Sequence, residues 1–402
     1  MSKPAKHDMM RSINTLSVLR FLRQNTHATR RTIQFATGLS WAAVSNITAD
    51  LLSRDIITEQ LSVDVTAGRN PLMLDFTPMN NLTIGLDINI SGLVGVLLDL
   101  RCNIIDSRKV SIIEPKKEKY LEQAKQIVQS LLEANDLLST DLLGIGISVQ
   151  GSVDPNGTTS LYNSFISNWE NVPLKQIFEE SFGIPTHVNH DPICIALAEQ
   201  WSRQLSPNTS TALIRLSYGI GMGYILNGQV IRGSNGTAGE LGHMVLNKDG
   251  PRCSCGNRGC LESFCSIRGI SQRIAAISEN NAPIDVRDAA GMQKAVFDAA
   301  EQARKGDIRL RKIFEEAGEY LGVGIANLVN MFNPEVIVLT GELLEVKDLF
   351  FDIAQKTAKA NAWVLSPVNI LLSDESGTNA AMGAALYYIN SAFESQNSKL
   401  LS

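Results

Sequence analysis

The chain has 402 residues, 44% hydrophobic and 19% charged, with a formal net charge of −5. That is enough apolar material for two or three cores, so a multidomain globular protein is expected and a largely disordered one is not. Met1 to Asp8 is polar, without an apolar core of signal-peptide length, and no later run is long enough to span a bilayer, which predicts a cytoplasmic protein without membrane insertion.

The charge is uneven. Residues 1–54 carry eight Lys and Arg against Asp8 and Asp50, a net +6 that leaves −11 for the remainder. A basic head on an acidic body favours docking of the head alone on a polyanion. Met10, Ile13, Leu16, Val18, Leu19, Phe21 and Leu22 recur at helical spacing over residues 10–25. A second helix follows, capped by Thr29, with Ile33 and Phe35 or Ala36 facing the core and Gly38 ending it in a tight turn. Ser40 caps a third helix, from Trp41 through Leu52. Helix, glycine turn and helix together read as a helix-turn-helix, whose second helix enters the DNA major groove. Small side chains at Ser40, Ala42, Ala43 and Ser45 would allow close approach to base edges, and Asn46 suits adenine. Arg30 and Arg31 are counted with them as DNA-binding candidates, whereas Trp41 reads as a packing residue. Two short strands, around Ile56 to Thr58 and Leu72 to Phe76, flank a polar tip whose Arg69 could enter a minor groove, completing a wing. The alternative is a helical interaction module that touches no nucleic acid.

From Thr83 apolar strands alternate with helices. Leu82 to Leu86, Leu93 to Leu100, Leu142 to Val149, Thr211 to Leu216, Gly223 to Leu226 and Val336 to Leu339 read as strands. Tyr120 to Ala134, Pro192 to Trp201 and Phe314 to Met331 read as helices, so the body is of the α/β class. Six cysteines (Cys102, Cys194, Cys253, Cys255, Cys260, Cys265) are too few and too clustered for a secreted disulfide framework. Three of them, with His243, fall within eighteen residues and have the ligand types of a closed, structural Zn2+ site at His243, Cys253, Cys255 and Cys260. Reduced thiols without metal are the alternative.

The run Glu240-Leu241-Gly242-His243, followed by Cys253-Ser254-Cys255-Gly256-Asn257-Arg258-Gly259-Cys260-Leu261-Glu262, resembles the signature of the ROK family of bacterial sugar kinases and sugar-responsive repressors. The resemblance extends, with gaps, over nearly the whole chain, towards the N-acetylglucosamine, glucose-type and xylose repressors. It implies an actin-like, ribonuclease H-like body of two lobes with a cleft between them. The expected division is a winged helix-turn-helix at 1–80, a small lobe at 81–193 plus 377–402, and a large lobe at 194–376 with the zinc loop and oligomerisation helices. Repressors of the family carry such a head and kinases lack it.

The resemblance also separates kinase from sensor. The kinase phosphate turn Asp-x-Gly-Gly-Thr corresponds to Asp87-Ile88-Asn89-Ile90-Ser91, where both glycines are replaced. The second loop has Tyr218 at a threonine position in Ser217 to Gly221, and the third keeps only Thr340-Gly341-Glu342. No catalytic residue is therefore assigned. Asp191 matches the family's sugar-holding aspartate, though it also suits the cap of the helix that follows. By the same resemblance Gly151, Asn163, His190, Glu240 and Glu262 contact sugar, and His243 is shared between sugar and metal. The expectation is a repressor of carbohydrate uptake or catabolism genes, binding double-stranded operator DNA and a sugar or sugar phosphate as a homodimer or homotetramer. The alternatives are an active sugar kinase with an added head, and a repressor released by a transporter component.

Overall fold

The computed structural model describes all residues except 1–2, 27, 62–71, 113, 207, 278–287, 364, 374–376, 395–399 and 402. The chain divides into two compact units. One holds Met1–Ser148, Pro173–Asn189 and Ala384–Ser402, and the other holds Val149–Val172 and His190–Gly383. The head shares a unit with the first large sheet.

The head consists of helices Lys3–Gln24, Arg30–Thr37 and Trp41–Ser53, then strands Ile57–Leu61 and Leu72–Phe76 paired antiparallel from Ile57↔Phe76 to Leu61↔Leu72. Leu16, Leu19, Leu22, Ile33, Val44, Ile47, Leu51 and Leu74 form its core. Local chemistry sets the boundaries. Thr29 and Thr32 cap each other's backbone at 3.1 and 2.8 Å, and Ser40 Oγ accepts the Ala43 amide at 3.2 Å. Gly38 takes φ 68°, ψ 10° and donates its N–H to the Gln34 carbonyl, closing the turn between the second and third helices.

One expectation fails here. Phe35 is 74% exposed and Ala36 is exposed as well, while Ile33 is the buried residue of its helix. Two residues beyond Ile33, Phe35 sits about 200° round the helix and so faces away, under the Arg31 guanidinium at 5.7 Å. Arg69 and the tip of the wing lie outside the described residues.

The first unit's sheet runs Thr186–His190, Leu142–Val149, Leu82–Asn89, Gly92–Leu98, Ile104–Ser111. Its central strands are buried nearly throughout, as expected for strands covered on both faces. The head is fastened to the C-terminal segment of this unit. Arg20 donates to the Phe393 carbonyl at 3.0 Å, Arg23 to Asn390 Oδ1 at 2.7 Å and Arg54 to the Leu400 carbonyl at 3.0 Å, while Phe76 meets Phe393 edge to face.

The second unit's sheet runs Gln229–Val230, Ile220–Leu226, Thr211–Leu216, Val336–Thr340, Ile370–Leu372, the last three parallel. Helices Asp191–Ser202 and Ile308–Phe332 belong to this unit, as does a small sheet of Ser152–Val153, Ser160–Tyr162 and Glu170–Val172. No helix among the described residues is long and apolar enough to cross a membrane.

A Cβ at residue 38 would meet nothing within 4 Å, so its cost is purely that of the left-handed backbone. Gly38→Ala is expected to lower stability by about 1–2 kcal/mol in urea denaturation of the full chain, and Gly38→Asn by less.

Candidate functional site

A cavity of about 380 Å³ opens in the second unit. Gly151, Asn163, His190, Asp191, Glu240, His243 and Glu262 all line it, so the seven residues proposed for sugar stand in one place. Gly151 has φ 95°, and a Cβ there would fall 2.0 Å from the Tyr162 carbonyl oxygen, so a side chain is excluded where the loop turns beside Asn163. Asn163 donates to the Gln150 carbonyl at 3.2 Å and accepts the Phe165 amide at 2.9 Å, which fixes its amide plane.

Asp191 is 4% exposed and opens the helix Asp191–Ser202. The N-cap position belongs to His190 and the Asp191 carboxylate makes no cap, which removes capping as its role. Oδ2 instead accepts from Nη1 of Arg215, a buried residue of the strand Thr211–Leu216, and Oδ1 lies 3.3 Å from His190 Nε2. Glu342 approaches the same guanidinium at 3.5 Å. Glu262 is buried and fixed at both oxygens: the Ser254 hydroxyl donates to Oε1 at 2.7 Å and the Ile220 amide to Oε2 at 3.1 Å. Glu240 is more open, with Oε2 3.9 Å from His243 Nε2.

The ligand atoms of His243, Cys253, Cys255 and Cys260 lie within 4.8 Å of one another, a cluster that could hold a metal ion. Cys253 Sγ is 3.6 Å from His243 Nδ1, and the sulfurs of Cys255 and Cys260 are 3.7 Å apart. A tetrahedral ion with metal–sulfur bonds of about 2.3 Å and metal–nitrogen bonds of about 2.0–2.1 Å would separate its ligands by roughly 3.6–3.8 Å, so the donors fit. The hydrogen bond to Cys253 raises the His243 imidazole to about 9. Burial pushes the Cys253 thiol up, but the bonds from His243 and from Cys255 together outweigh it and hold the thiol at about 7. Cys260 goes the other way, pushed up to about 12 by burial and by its hydrogen bonds with Cys253 and Cys255. His243 turns Nδ1 to the cluster and Nε2 to Glu240, so one imidazole faces both metal ligands and pocket.

The turn Asp87 to Ser91, in the first unit, is closed by its own side chains. Asn89 donates to Asp87 Oδ2 at 2.6 Å and accepts the Ser91 amide at 2.9 Å, while Tyr120 Oη donates to the carbonyls of Asn89 and Ile90 at 3.0 and 3.2 Å. In the second unit Tyr218 is buried edge-on to Phe165 and donates to Gln293 at 2.7 Å.

On the head, Ser40, Ala42 and Asn46 are exposed and Ala43 and Ser45 half-buried along the third helix. Arg31 is exposed, but the Arg30 guanidinium is engaged by Glu59 and by Thr48 Oγ1. Arg215, Arg268 and Ser254 also line the pocket and went unnoticed in the sequence. The signal was present for both arginines, each a lone cation in an apolar run (Ala212-Leu-Ile-Arg215-Leu and Ile267-Arg268-Gly-Ile270) that folding must provide for.

Arg215 is 7% exposed, so removing it leaves the Asp191 charge buried beside His190. Arg215→Met should cost about 3–5 kcal/mol in chemical denaturation, and adding Asp191→Asn should recover much of that loss. Simple additivity of the two changes would contradict the pairing.

The chain is similar to the xylose repressor of Caldicellulosiruptor bescii, with 27% identity over 366 residues, covering 90% of this chain and 92% of the repressor. The crystal structure of a ROK family transcriptional regulator, described as a homolog of the E. coli MLC protein, superposes with a TM-score of 0.77 at 24% identity over 94% of this chain and 96% of that one. A ROK family glucokinase from Streptomyces griseus, solved with glucose and AMPPNP, matches at 26% identity and TM-score 0.61, covering 76% of this chain and 98% of the kinase. The fold is therefore the expected one, a helical N-terminal head ahead of an actin-like α/β body. With residues 83–390 matching the family, the chain belongs to the ROK family.

Proposed function

We propose that this protein is a sugar-responsive transcriptional repressor that holds operator DNA through its winged head and a sugar in the pocket around Asp191. The observation that carries this reading is the union in one chain of the winged-helix head with a pocket lined by Asp191, Glu240 and Glu262. Carboxylates accept from sugar hydroxyls, at about 1.5–3 kcal/mol for each hydrogen bond to a charged group. The xylose repressor supports the choice of regulator over enzyme. So does the turn at Asp87 to Ser91, where the Ser91 amide is already taken by Asn89 and two side chains replace the glycines through which family kinases approach ATP phosphates.

Zn2+ is the metal assigned to His243, Cys253, Cys255 and Cys260, with a structural role, since four protein donors leave no place for a reacting water. Glu262 ties that loop to the pocket: Ser254, between two of the ligands, donates to the same carboxylate that receives the Ile220 amide. A sugar bonded to Glu240, Glu262 and His243 thus changes the environment of the metal loop directly. Reversal of operator occupancy from nearly full to nearly empty requires a preference of about 5.5 kcal/mol for the released state, which several charged hydrogen bonds per protomer supply. In a homodimer or homotetramer two heads read half-sites a fixed number of turns apart, so a modest change in their spacing is enough.

The full chain should retard a promoter fragment in a gel and lose it when the correct sugar is added. Asp191→Asn should still bind the fragment but no longer respond. Sustained ADP production from ATP and hexoses would favour the kinase reading and sink this one. Purified protein should carry about one zinc per chain by elemental analysis, and Cys255→Ser should lose it. Zinc-free protein with unchanged melting temperature and unchanged DNA release would remove the metal's structural role.

A further inference from the structure

One cation in the pocket has no ion-pair partner among the described residues. Arg268 lines the cavity at 9% exposure, and its Nε is buried without a hydrogen-bond partner among the described residues. Its recorded side-chain contact is with an aromatic face, the guanidinium carbon lying 4.6 Å above the centre of the Phe165 ring. The carboxylate that influences it most, Glu262, has both oxygens taken by Ser254 and Ile220, and no described carboxylate comes within ion-pair distance of Arg268. A second orphan stands close by in the same wall. Ser217 Oγ is buried without a partner, and the Ser217 carbonyl accepts the amide of Ile267, the neighbour of Arg268.

A buried guanidinium left without an anion is costly, and stacking on a ring compensates for only part of its lost hydration. Burial also drives Arg268 below the ordinary guanidinium value, and the negative charge around it, chiefly of Glu262, offsets only part of that. A neutral sugar hydroxyl would satisfy one donor without compensating the charge. A phosphate or carboxylate does both, accepting two parallel N–H bonds from the planar fork while leaving an oxygen for the serine hydroxyl.

We propose that the effector is an acidic sugar, whose phosphate or carboxylate is received by Arg268 and Ser217 while its hydroxyls reach the Asp191, Glu240 and Glu262 side. This rests on the sugar-sensing reading of the same pocket and narrows it.

Titration calorimetry on the full chain decides it, with glucose, xylose and N-acetylglucosamine each set against its phosphate esters and its uronic acid. At least one acidic sugar should bind about tenfold or more tighter than its neutral parent, and whether the ester or the uronic acid does so identifies the anion. Arg268→Met should abolish that preference, the acidic sugar falling to no more than about the affinity of its neutral parent, and Arg268→Lys should keep part of it. Neutral sugars binding as tightly as acidic ones in the wild type, or an undiminished preference in Arg268→Met, would overturn the assignment while leaving sugar sensing intact. Absence of binding by every sugar would instead remove the sugar-sensing reading and this inference with it. If Arg268→Met does not fold, the wild-type comparison of neutral and acidic sugars decides alone.

Discussion

The buried pair of Arg215 and Asp191 is the constraint around which the pocket is arranged. Arg215 stands in a strand whose six residues are all buried, and a cation there needs a carboxylate beside it. Asp191 supplies it from the first position of a helix, where the backbone dipole also favours negative charge. Glu342, after the neighbouring strand Val336–Thr340, reaches the same guanidinium. Three elements therefore converge on one charge, and their meeting point fixes where the second carboxylate oxygen and His190 face the cavity. Stability alone gives no reason for such a pair, because well-packed apolar residues of similar volume would serve as well or better. Its use is positional: it holds a carboxylate, buried and oriented, at the wall of the cavity.

The turn that corresponds to the kinase phosphate turn is filled by side chains in this chain. A glycine pair leaves amides open to phosphate, whereas here Asn89 folds back on the Ser91 amide and Tyr120 takes the two carbonyls of the turn. Breaking one such bond costs only about 1 kcal/mol, so the hydrogen bonds are not the main obstacle. Bulk differs as well: where the family's kinases are expected to have two glycines, this chain has Asn89 and the β-branched Ile90. Tyr218, buried against Phe165 and tied to Gln293, fills the second loop in the same manner.

What was legible in the sequence was local. The metal cluster and the two helix caps of the head depend on residues within eighteen positions of each other, and their spacing carries the geometry. The central strands were legible because they are continuously apolar. Ile104–Ser111 and Thr186–His190 were not, since an edge strand with alternating exposure and a short strand rich in polar residues present no such run. Phe35 was misplaced because hydrophobicity was read without counting its angle from Ile33. Arg215 and Arg268 went unnoticed for a different reason. Their surroundings, Asp191 24 residues before Arg215 and Phe165 far before Arg268, are assembled by the fold and leave no periodic trace. A solitary charge in an apolar run was the available clue, and in both cases it marks the pocket.

Net charge also overstated how much of the head is free to meet DNA. Of its six arginines in residues 1–54, five have partners within the chain: Arg11 with Asp50, Arg20 with the Phe393 carbonyl, Arg23 with Asn390, Arg30 with Glu59, and Arg54 with Asp50 and the Leu400 carbonyl. These cations position the helices and fasten the head to the C-terminal segment. Each phosphate neutralised on binding releases a counterion and steepens the dependence on salt, so a head with engaged arginines makes fewer such contacts than its +6 implies. The exposed face of the third helix carries Ser40, Ala42 and Asn46, and Arg31 on the second helix is exposed too. The links of Arg20, Arg23 and Arg54 to the C-terminal segment therefore serve the placement of the head's helices within their unit.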